Sequence, residues 1–264
     1  MGTIRPKKSL GQHFLEDPNI IRKISSTLPA GPEDCVVEIG PGTGRLTRDL
    51  VRSYPNLIAV EIDKRAVELL RKEMPDLDVR HQDILKLEWR QFTGSGTPVH
   101  VVGNLPYYIT SQILFGILEH RTHLASATLM MQKEVAERLI AQPGNKTYGI
   151  LSVQVQLMST PEILFDVSPN AFRPRPKVTS SVVRLRFDKG ELNCSDRALK
   201  KVVRTAFQQR RKKLSNALKS FEPLPSSEQF DYDCRAENWP PETYEKLTAH
   251  LEQLGTLSGE FGNS

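Results

Sequence analysis

Short runs of aliphatic and β-branched residues alternate with helical segments through the first half of the chain. Strands separated by helices are typical of βαβ units, whose strands run parallel in one sheet. The alternation therefore predicts an α/β fold. The predicted strands are Cys35–Gly40, Leu57–Ile62, Asp78–Gln82, His100–Gly103 and Ser126–Gln132, and the predicted helices between them are Gly44–Ser53 and Lys64–Met74.

The sheet is expected to end in a hairpin. Glu162–Val167 and Val178–Phe187 read as two further strands. A proline-rich loop joins them in place of a helix, which favours antiparallel pairing at the sheet edge.

The last third of the chain is predicted to be helical. Ser195–Phe207, Arg210–Phe221 and the segment after Pro240 place apolar residues at helical spacing. A chain of 264 residues suits one large domain and one small one. We therefore expect an α/β domain at residues 1–188 and a small helical domain at 189–264, with a flexible tail from residue 256.

Charge is unevenly distributed although the net charge is only +5. Residues 197–219 hold nine Lys or Arg and no acid, whereas residues 220–264 hold two basic and nine acidic residues. A basic block indicates a polyanionic partner, although it also suits a solvated helix face. The predicted RNA-binding residues are Lys200, Lys201, Arg204, Arg210 and Arg211, together with Arg173, Arg175 and Lys177 in the proline-rich loop.

Composition excludes several classes of protein. The uncharged stretch Thr147–Pro161 has 15 residues and is too short and too polar to span a membrane. The first residues lack the apolar core of a secretion signal. Three widely spaced cysteines favour free thiols in a reducing compartment, so a cytoplasmic protein is expected. No metal site and no oligomer is predicted.

Glycines mark the junction between the first predicted strand and its helix. Gly40, Gly42 and Gly44 alternate in the segment Glu38–Gly44. They let the backbone pass close to a ligand that faces amides and a helix N-terminus. The dinucleotide fingerprint is G-x-G-x-x-G, and here the third glycine comes one residue early. With an acid in front, the spacing is similar to that of methyltransferases that bind S-adenosylmethionine.

Two carboxylates follow the next predicted strands. Glu61 can accept both ribose hydroxyls of an adenosine, and Asp83 can accept the adenine amine. Either one alone also fits an exposed carboxylate at a strand end. Together with the glycine loop they predict a nucleoside-binding cleft.

The segment Asn104–Tyr107 follows the fourth predicted strand. Methylating an exocyclic amine is difficult because its lone pair is delocalised into the ring. The carbonyls of the Asn104 side chain and the Leu105 main chain can accept both amine hydrogens, while Pro106 stiffens the turn. Tyr107 can stack on an extruded base. The alternative is an asparagine-initiated turn followed by a core tyrosine.

A second aromatic residue, Phe172, lies among arginines and prolines in the loop 170–178. It is a candidate for stacking on the other face of a flipped base. The alternative is that Phe172 is the buried anchor of a proline-rich surface loop.

These motifs, in this order, resemble those of the ribosomal RNA adenine N6-dimethyltransferase family, and within it the bacterial enzymes that modify small-subunit RNA. The resemblance covers about residues 7–187. It implies a Rossmann-like, class I S-adenosylmethionine-dependent methyltransferase domain with a small all-helical C-terminal domain. The matching stretches are Lys8–Leu15, Glu38–Gly44, Glu61–Asp63, Gln82–Asp83, Asn104–Tyr107 and Phe172–Ser180.

The resemblance also implies a reaction and the residues that carry it. The family transfers four methyl groups to two adjacent adenosines in the 3′-terminal hairpin of small-subunit rRNA, on an assembling ribosomal particle. Asn104, Leu105, Pro106, Tyr107 and Phe172 match the positions that hold the target adenine. Because relatives often have Asn at position 13, a backbone contact is expected from His13. The cofactor-binding residues are expected to be Gln12, His13, Leu15, Gly40, Gly42, Glu61, Ile62, Asp83, Ile84 and Asn104.

Two alternatives remain open from the sequence. One is the macrolide-resistance relative, which methylates an adenine of large-subunit RNA; the Gly11-Gln12 pair, Leu105 and the segment Pro174–Val183 favour the small-subunit enzyme. The other is a non-catalytic assembly factor, against which the intact Asn104–Tyr107 and Gly40–Gly44 segments argue.

Overall fold

The structure is a computed structural model that describes residues 4–7, 11–92, 98–226 and 228–257. Of the predicted features, Lys8 to Leu10 of the first motif and residues 258–264 of the tail lie outside these ranges. The strands are β1 (Phe14–Leu15), β2 (Cys35–Ile39), β3 (Leu57–Glu61), β4 (Asp78–His81), β5 (Val99–Asn104), β6 (Ser126–Gln132), β7 (Thr160–Val167), β8 (Phe172–Arg173) and β9 (Ser180–Arg186).

Helices and short 3₁₀ turns connect these strands. The helices are α1 (Pro18–Thr27), α2 (Thr47–Leu50), α3 (Lys64–Glu73), α4 (Thr110–Glu119), α5 (Lys133–Leu139), α6 (Ile150–Met158), α7 (Asp196–Gln208), α8 (Leu214–Ala217) and α9 (Pro241–Gln253). Asp17 caps α1 and Asp63 caps α3 by accepting main-chain N–H groups. Both starts agree with the sequence pattern, in which an acid precedes each helix.

A seven-stranded sheet organises the α/β unit, with the order β4-β3-β2-β5-β6-β9-β7. Strands β2 to β6 all run parallel to one another, whereas β9 runs antiparallel to β6. The predicted strands β7 and β9 are neighbours at the edge, with β9 inserted beside β6. Separately, β1 pairs with β8 in antiparallel register, with Leu15 opposite Phe172.

Strands β2 and β5 bring the glycine loop beside the Asn104 turn. All five residues of β2 are buried, as expected for a strand covered on both faces. Gly103 permits the close approach of β5, because a Cβ there would lie 2.6 Å from the carbonyl oxygen of Ile39. Gly40 follows Ile39 and Asn104 follows Gly103, so these two residues meet at the same edge of the sheet.

Two predicted helices differ from the observed ones. The helix expected at Gly44–Ser53 is reduced to α2, and Gly42 and Gly44 take positive φ angles of 56° and 74° that keep the preceding loop out of the helix. The prediction of a helix at Arg210–Phe221 is wrong, since only the four residues of α8 are α-helical in this segment. Main-chain N–H groups of Leu214 and Ser215, the first residues of α8, donate to carbonyls of residues 234 and 232, so the chain pairs there and no helix extends back to Arg210.

Contacts divide the chain into two compact units, one of residues 1–136 and 161–188 and one of residues 137–160 and 189–264. One division between the units falls after residue 188, and residues 137–160 belong to the second unit and not to the first. The reason is packing, because α6 contacts both α7 and α9. Tyr148 also belongs to this helical unit, where its hydroxyl donates to the carbonyl of Trp239 at 2.9 Å.

No helix in the described ranges combines the length and the apolar character needed to cross a membrane. Within the same ranges, no group of three or more His, Cys, Asp or Glu side chains could hold a metal ion.

Candidate active site

A cleft opens at the carboxyl ends of β2, β3, β4 and β5, where open parallel sheets bind their ligands. The segment from Gly11 to Phe14 forms another wall. Nine of the predicted cofactor residues line this cleft: Gln12, His13, Gly40, Gly42, Glu61, Ile62, Asp83, Ile84 and Asn104. Of the residues predicted for the target amine, Asn104, Leu105, Pro106 and Tyr107 line it as well.

The glycine loop leaves room for a ligand. Gly40 has a φ of 66°, and its main-chain N–H donates to the carbonyl of Val60 at 2.9 Å. A Cβ at Gly40 would find only the Asn104 carbonyl oxygen within 4 Å, so a side chain would project into open space. Because Gly40 lines the cleft, the loop backbone there can approach a bound molecule closely.

Glu61 is buried and oriented by two main-chain donors. Its Oε2 accepts the N–H of Gly42 at 3.1 Å, and its Oε1 accepts the N–H of Asp63 at 2.8 Å. Each carboxylate oxygen has capacity for a further hydrogen bond, which suits two adjacent ribose hydroxyls. Burial raises the pKa of Glu61, against the lowering effect of those N–H groups. A ligand that brings donors to both oxygens would offset this cost of burial.

Asp63 connects Glu61 to the N-terminal wall. Its Oδ2 accepts the side-chain amide of Gln12 at 3.1 Å and the guanidinium of Arg65 at 2.6 Å. The main-chain N–H of Lys7 in turn donates to Gln12 at 2.8 Å. Hydrogen bonding to Arg65 is the largest cause that lowers the pKa of Asp63, to about 2. Asp63 is consequently an anion at neutral pH and fixes the position of Gln12 in the cleft.

Two more carboxyl groups, Glu38 and Asp83, lie in different surroundings. Glu38, beneath the glycine loop, is buried, and burial raises its pKa to about 8, so it is predominantly protonated at pH 7. Asp83 lies at the rim, where its Oδ1 accepts the N–H of Leu85 at 3.0 Å and caps the turn Ile84–Lys86. The cleft therefore presents Glu61 and Asp83 as acceptors while Glu38 adds little negative charge below them.

The Asn104–Tyr107 turn is held by main-chain and side-chain bonds. Leu105 N–H donates to the carbonyl of Met130 at 2.9 Å, and the Pro106 carbonyl accepts the hydroxyl of Thr110 at 3.0 Å. Asn104 Nδ2 donates to the main-chain oxygen of His13 at 2.9 Å. Because that oxygen can only accept, the bond fixes the amide orientation and leaves Asn104 Oδ1 to serve as an acceptor.

Tyr107 lies beside His13, with ring centroids 5.5 Å apart and planes inclined by 23°. Its hydroxyl is hydrogen-bonded to Ser180 Oγ at 2.7 Å. Burial raises the pKa of the Tyr107 hydroxyl, so it is protonated at neutral pH. Ser180 ends the last matching stretch, but no sequence pattern marks it as a functional residue.

Phe172 and Leu15 do not line the cleft. In the pairing of β1 with β8 their positions are opposite each other, and both side chains are buried in the hydrophobic core. Phe172 is 0% exposed, so the expected enclosure of an adenine between Tyr107 and Phe172 is not the arrangement observed. The loop instead has a buried anchor, which was the alternative for this residue, and the ring stacked on Tyr107 is that of His13.

The predicted RNA-binding residues fall into three groups. Arg173 at the end of β8 and Arg175 and Lys177 in the following loop are exposed, and Arg204 and Arg211 are exposed in the helical unit. Lys200 and Lys201 are half-buried, and Lys201 Nζ lies 5.9 Å from the ring centre of Phe221. Arg210 is paired with Glu237 at 2.8 Å, so an acid of the C-terminal segment already balances its charge.

Comparison with known proteins decides the family. The sequence profile described as ribosomal RNA adenine dimethylase matches residues 4–249. The chain belongs to this family. It is 47% identical over 259 residues to the ribosomal RNA small subunit methyltransferase A of Salinibacter ruber, a match that covers 94% of this chain and 86% of that protein. It is 41% identical to the protein of the same name from Bacteroides thetaiotaomicron, with both chains covered completely.

Solved structures agree with the sequence comparison. A dimethyladenosine transferase from Plasmodium falciparum has a TM-score of 0.78 and 26% identity, with 92% of this chain and 98% of that chain covered. The 23S rRNA methyltransferase ErmE has a TM-score of 0.68 and 28% identity, with 91% and 100% covered. The predicted Rossmann-like methyltransferase fold is confirmed. As a ribosomal RNA adenine dimethylase, the chain is an enzyme that uses S-adenosylmethionine.

Proposed function

We propose that this dimethylase modifies N6 of two adjacent adenosines in the 3′-terminal hairpin of small-subunit rRNA, during ribosome assembly in the cytoplasm, and that it acts as a monomer. The observation that carries the proposal is the Asn104–Tyr107 turn beside the glycine loop: a fixed acceptor pair and an aromatic ring share one cleft with the cofactor residues. High identity over nearly the whole chain to two small-subunit methyltransferases supports the choice of RNA.

The cofactor residues fit S-adenosylmethionine. Glu61 would hold the ribose hydroxyls, Asp83 the adenine amine, and the open backbone of Gly40 would lie against the rest of the molecule. Gln12 and His13 would close the cleft from the N-terminal side. Bound there, the cofactor supplies an electrophilic methyl group on a positively charged sulfur.

The chain's own residues act by positioning the target amine. In the first transfer Asn104 Oδ1 and the Leu105 carbonyl accept the two N6 hydrogens, and in the second one of these oxygens accepts the hydrogen that remains. Each bond draws the lone pair out of conjugation and toward the methyl group, and each transfer releases one N6 proton. Tyr107 supports the extruded base by stacking. Two bonds to the turn, Leu105 to Met130 and Thr110 to Pro106, keep both acceptors in place before the substrate arrives. Catalysis by orientation of this kind needs no strong base.

RNA binding would use the exposed cations. Arg173, Arg175 and Lys177 lie at the end of β8 and in the loop after it, and Arg204 and Arg211 are available in the helical unit. Phosphate contacts of this type set the position of an RNA without reading its sequence. We therefore expect the enzyme to recognise the shape of the ribosomal particle as well as the two adenosines.

A second candidate is methylation of one adenine in large-subunit RNA. The 28% identity and TM-score of 0.68 to the 23S rRNA methyltransferase favour it as the alternative. The same turn and cleft would serve both reactions, so only the RNA differs.

The test is methyl transfer from labelled S-adenosylmethionine to under-methylated small and large ribosomal particles, followed by mapping of the modified nucleotides. Two adjacent N6-dimethyladenosines near the 3′ end of the small-subunit RNA are expected. Label confined to large-subunit RNA would select the second candidate. Cofactor binding without transfer to either particle would overturn the proposal and leave a role in assembly.

A further inference from the structure

Two residues outside the Asn104–Tyr107 turn restrain the Tyr107 side chain. The imidazole of His13 is stacked on its ring, with centroids 5.5 Å apart. At the far end of the side chain, the hydroxyl is bonded to Ser180 Oγ at 2.7 Å. A tyrosine restrained at its face and at its hydroxyl has little freedom to turn.

His13 is itself fixed from two directions. Its Nδ1 lies 2.7 Å from the carbonyl oxygen of Pro174, which can only accept, so Nδ1 carries the proton. Its main-chain oxygen receives the side-chain amide of Asn104 at 2.9 Å. One residue thus joins the acceptor side chain, the stacking ring and the loop after β8.

Ser180 is also held in a fixed position. It is fully buried at the start of β9, in register with Gln132 of β6. The bond to Tyr107 therefore ends on the rigid sheet and not on a loop. Ser181, the next residue, is also fully buried, but its hydroxyl donates to Asp166 at 2.6 Å and has no part in this arrangement.

We propose that His13 and Ser180 are positioning residues for methyl transfer, which fix the Tyr107 ring so that its face opposite His13 receives the extruded adenine. The sequence pattern predicted that Phe172 would stack on the face of the adenine opposite Tyr107. In this proposal His13 stacks on Tyr107 instead, on the face of the ring away from the adenine. The inference rests on the proposed adenine methylation at this turn, and it does not depend on which ribosomal RNA is the substrate.

The experiment uses the full chain with five variants: His13→Ala, His13→Phe, Ser180→Ala, Tyr107→Ala and, as a control, Ser181→Ala. Affinity for S-adenosylmethionine is measured by calorimetry. Steady-state kcat and KM are measured on whichever ribosomal particle the wild type methylates. His13→Phe keeps a ring at the stacking position and removes the bond to Pro174.

A misplaced reacting group can cost on the order of 10²-fold in rate. We expect His13→Ala and Ser180→Ala to lower kcat at saturating substrates by roughly ten- to a hundredfold, with unchanged cofactor affinity. His13→Phe should recover most of that loss, and Ser181→Ala should keep the wild-type kcat. Cofactor affinity lowered equally in both His13 variants, with normal kcat at saturation, would overturn the proposal and make His13 a cofactor ligand.

A second measurement does not depend on activity. Urea unfolding of His13→Ala, Tyr107→Ala and the double variant forms a cycle, and contacting rings are expected to give non-additive stability changes. Additive changes would overturn the positioning role of His13 even if the wild type methylates RNA. Coupling in the cycle together with no methyl transfer by the wild type would instead count against the proposed function and leave the contact standing.

Discussion

The two halves of the cleft are built in different ways. We call the part around Glu61 and Asp83 the cofactor half and the turn Asn104–Tyr107 the amine half. In the cofactor half, the contacts that orient Glu61 come from Asp63 and Gly42, which are two and 19 residues away in sequence. In the amine half, Asn104 is bonded to His13 across 91 residues, and Tyr107 to Ser180 across 73. The carboxylate of Glu61 is thus oriented by local βαβ geometry, whereas the amine half exists only when distant segments meet.

That difference explains what could be predicted from the sequence. Strand ends and turn glycines are local properties, and parallel strands bring their carboxyl ends to one edge, so Glu61 and Asp83 could be assigned to the cleft before the fold was known. The side of a strand that a residue faces is set by its pairing partner. Phe172 was misplaced for this reason, because its burial follows from the pairing of β8 with β1.

The helical unit shows the same limit. The helix α7 was predicted correctly because its apolar residues repeat at helical spacing and Ser195 caps it. The expected helix at Arg210–Phe221 has a similar pattern, but pairing of residues 213–215 with residues 232–235 competes with helix formation. Nothing in the local pattern indicates that competition. Likewise, the partnership of Arg210 with Glu237 depends on tertiary structure.

The largest effect is expected from Asn104→Ala. Loss of one fixed acceptor should lower kcat by roughly 10²–10³-fold, which is typical when a single preorganised hydrogen-bonding group is removed. Affinities for S-adenosylmethionine and for RNA should stay close to those of the wild type, as measured by calorimetry and filter binding. Full activity in this variant would refute the role of Asn104 in positioning the target amine. It would also refute the distinction between an amine half and a cofactor half.

Glu61→Gln is expected to change the cofactor half alone. Hydrogen bonds to a charged group contribute about 1.5–3 kcal/mol, so the Kd for S-adenosylmethionine should rise roughly ten- to a hundredfold while kcat at saturation is kept. Glu38→Gln is the matched control, because Glu38 is predominantly protonated at pH 7 and the exchange leaves its charge nearly unchanged. Equal losses of cofactor affinity in both variants would contradict the assignment of the ribose to Glu61.

Asp63→Asn should alter the pH dependence of stability. The pKa of Asp63 is about 2 in the folded protein and 3.8 ordinarily. Its ionised form therefore contributes stability that is complete above about pH 5 and is lost as the pH falls from about 4 toward 2. By that shift the wild type should exceed the variant by about 2 kcal/mol in unfolding free energy at pH 7, and the gap should close in acid. A gap that is independent of pH in urea unfolding would argue against the role of the Arg65 and Gln12 contacts.

The smallest effect is expected outside both halves. Arg204→Gln and Arg211→Gln should each reduce the slope of log affinity against log salt by about 0.7–0.9 if each cation neutralises one phosphate. Arg210→Gln provides the comparison, since its guanidinium is already paired with Glu237 and a smaller change is expected. Cofactor affinity should be identical in all three. Unchanged salt slopes for Arg204 and Arg211 would mean that this face serves solubility.

The bond between Tyr107 and Ser180 has a consequence for synthesis of the protein. At about 5–20 residues per second, a ribosome finishes Ser180 roughly 4–15 seconds after Asn104. Strands β2 to β4 are complete by then and can already pair in parallel. During that interval the nascent chain can assemble its nucleoside-binding edge but has no finished catalytic centre. The Tyr107 hydroxyl therefore gains its hydrogen-bond partner only after β9 has been made.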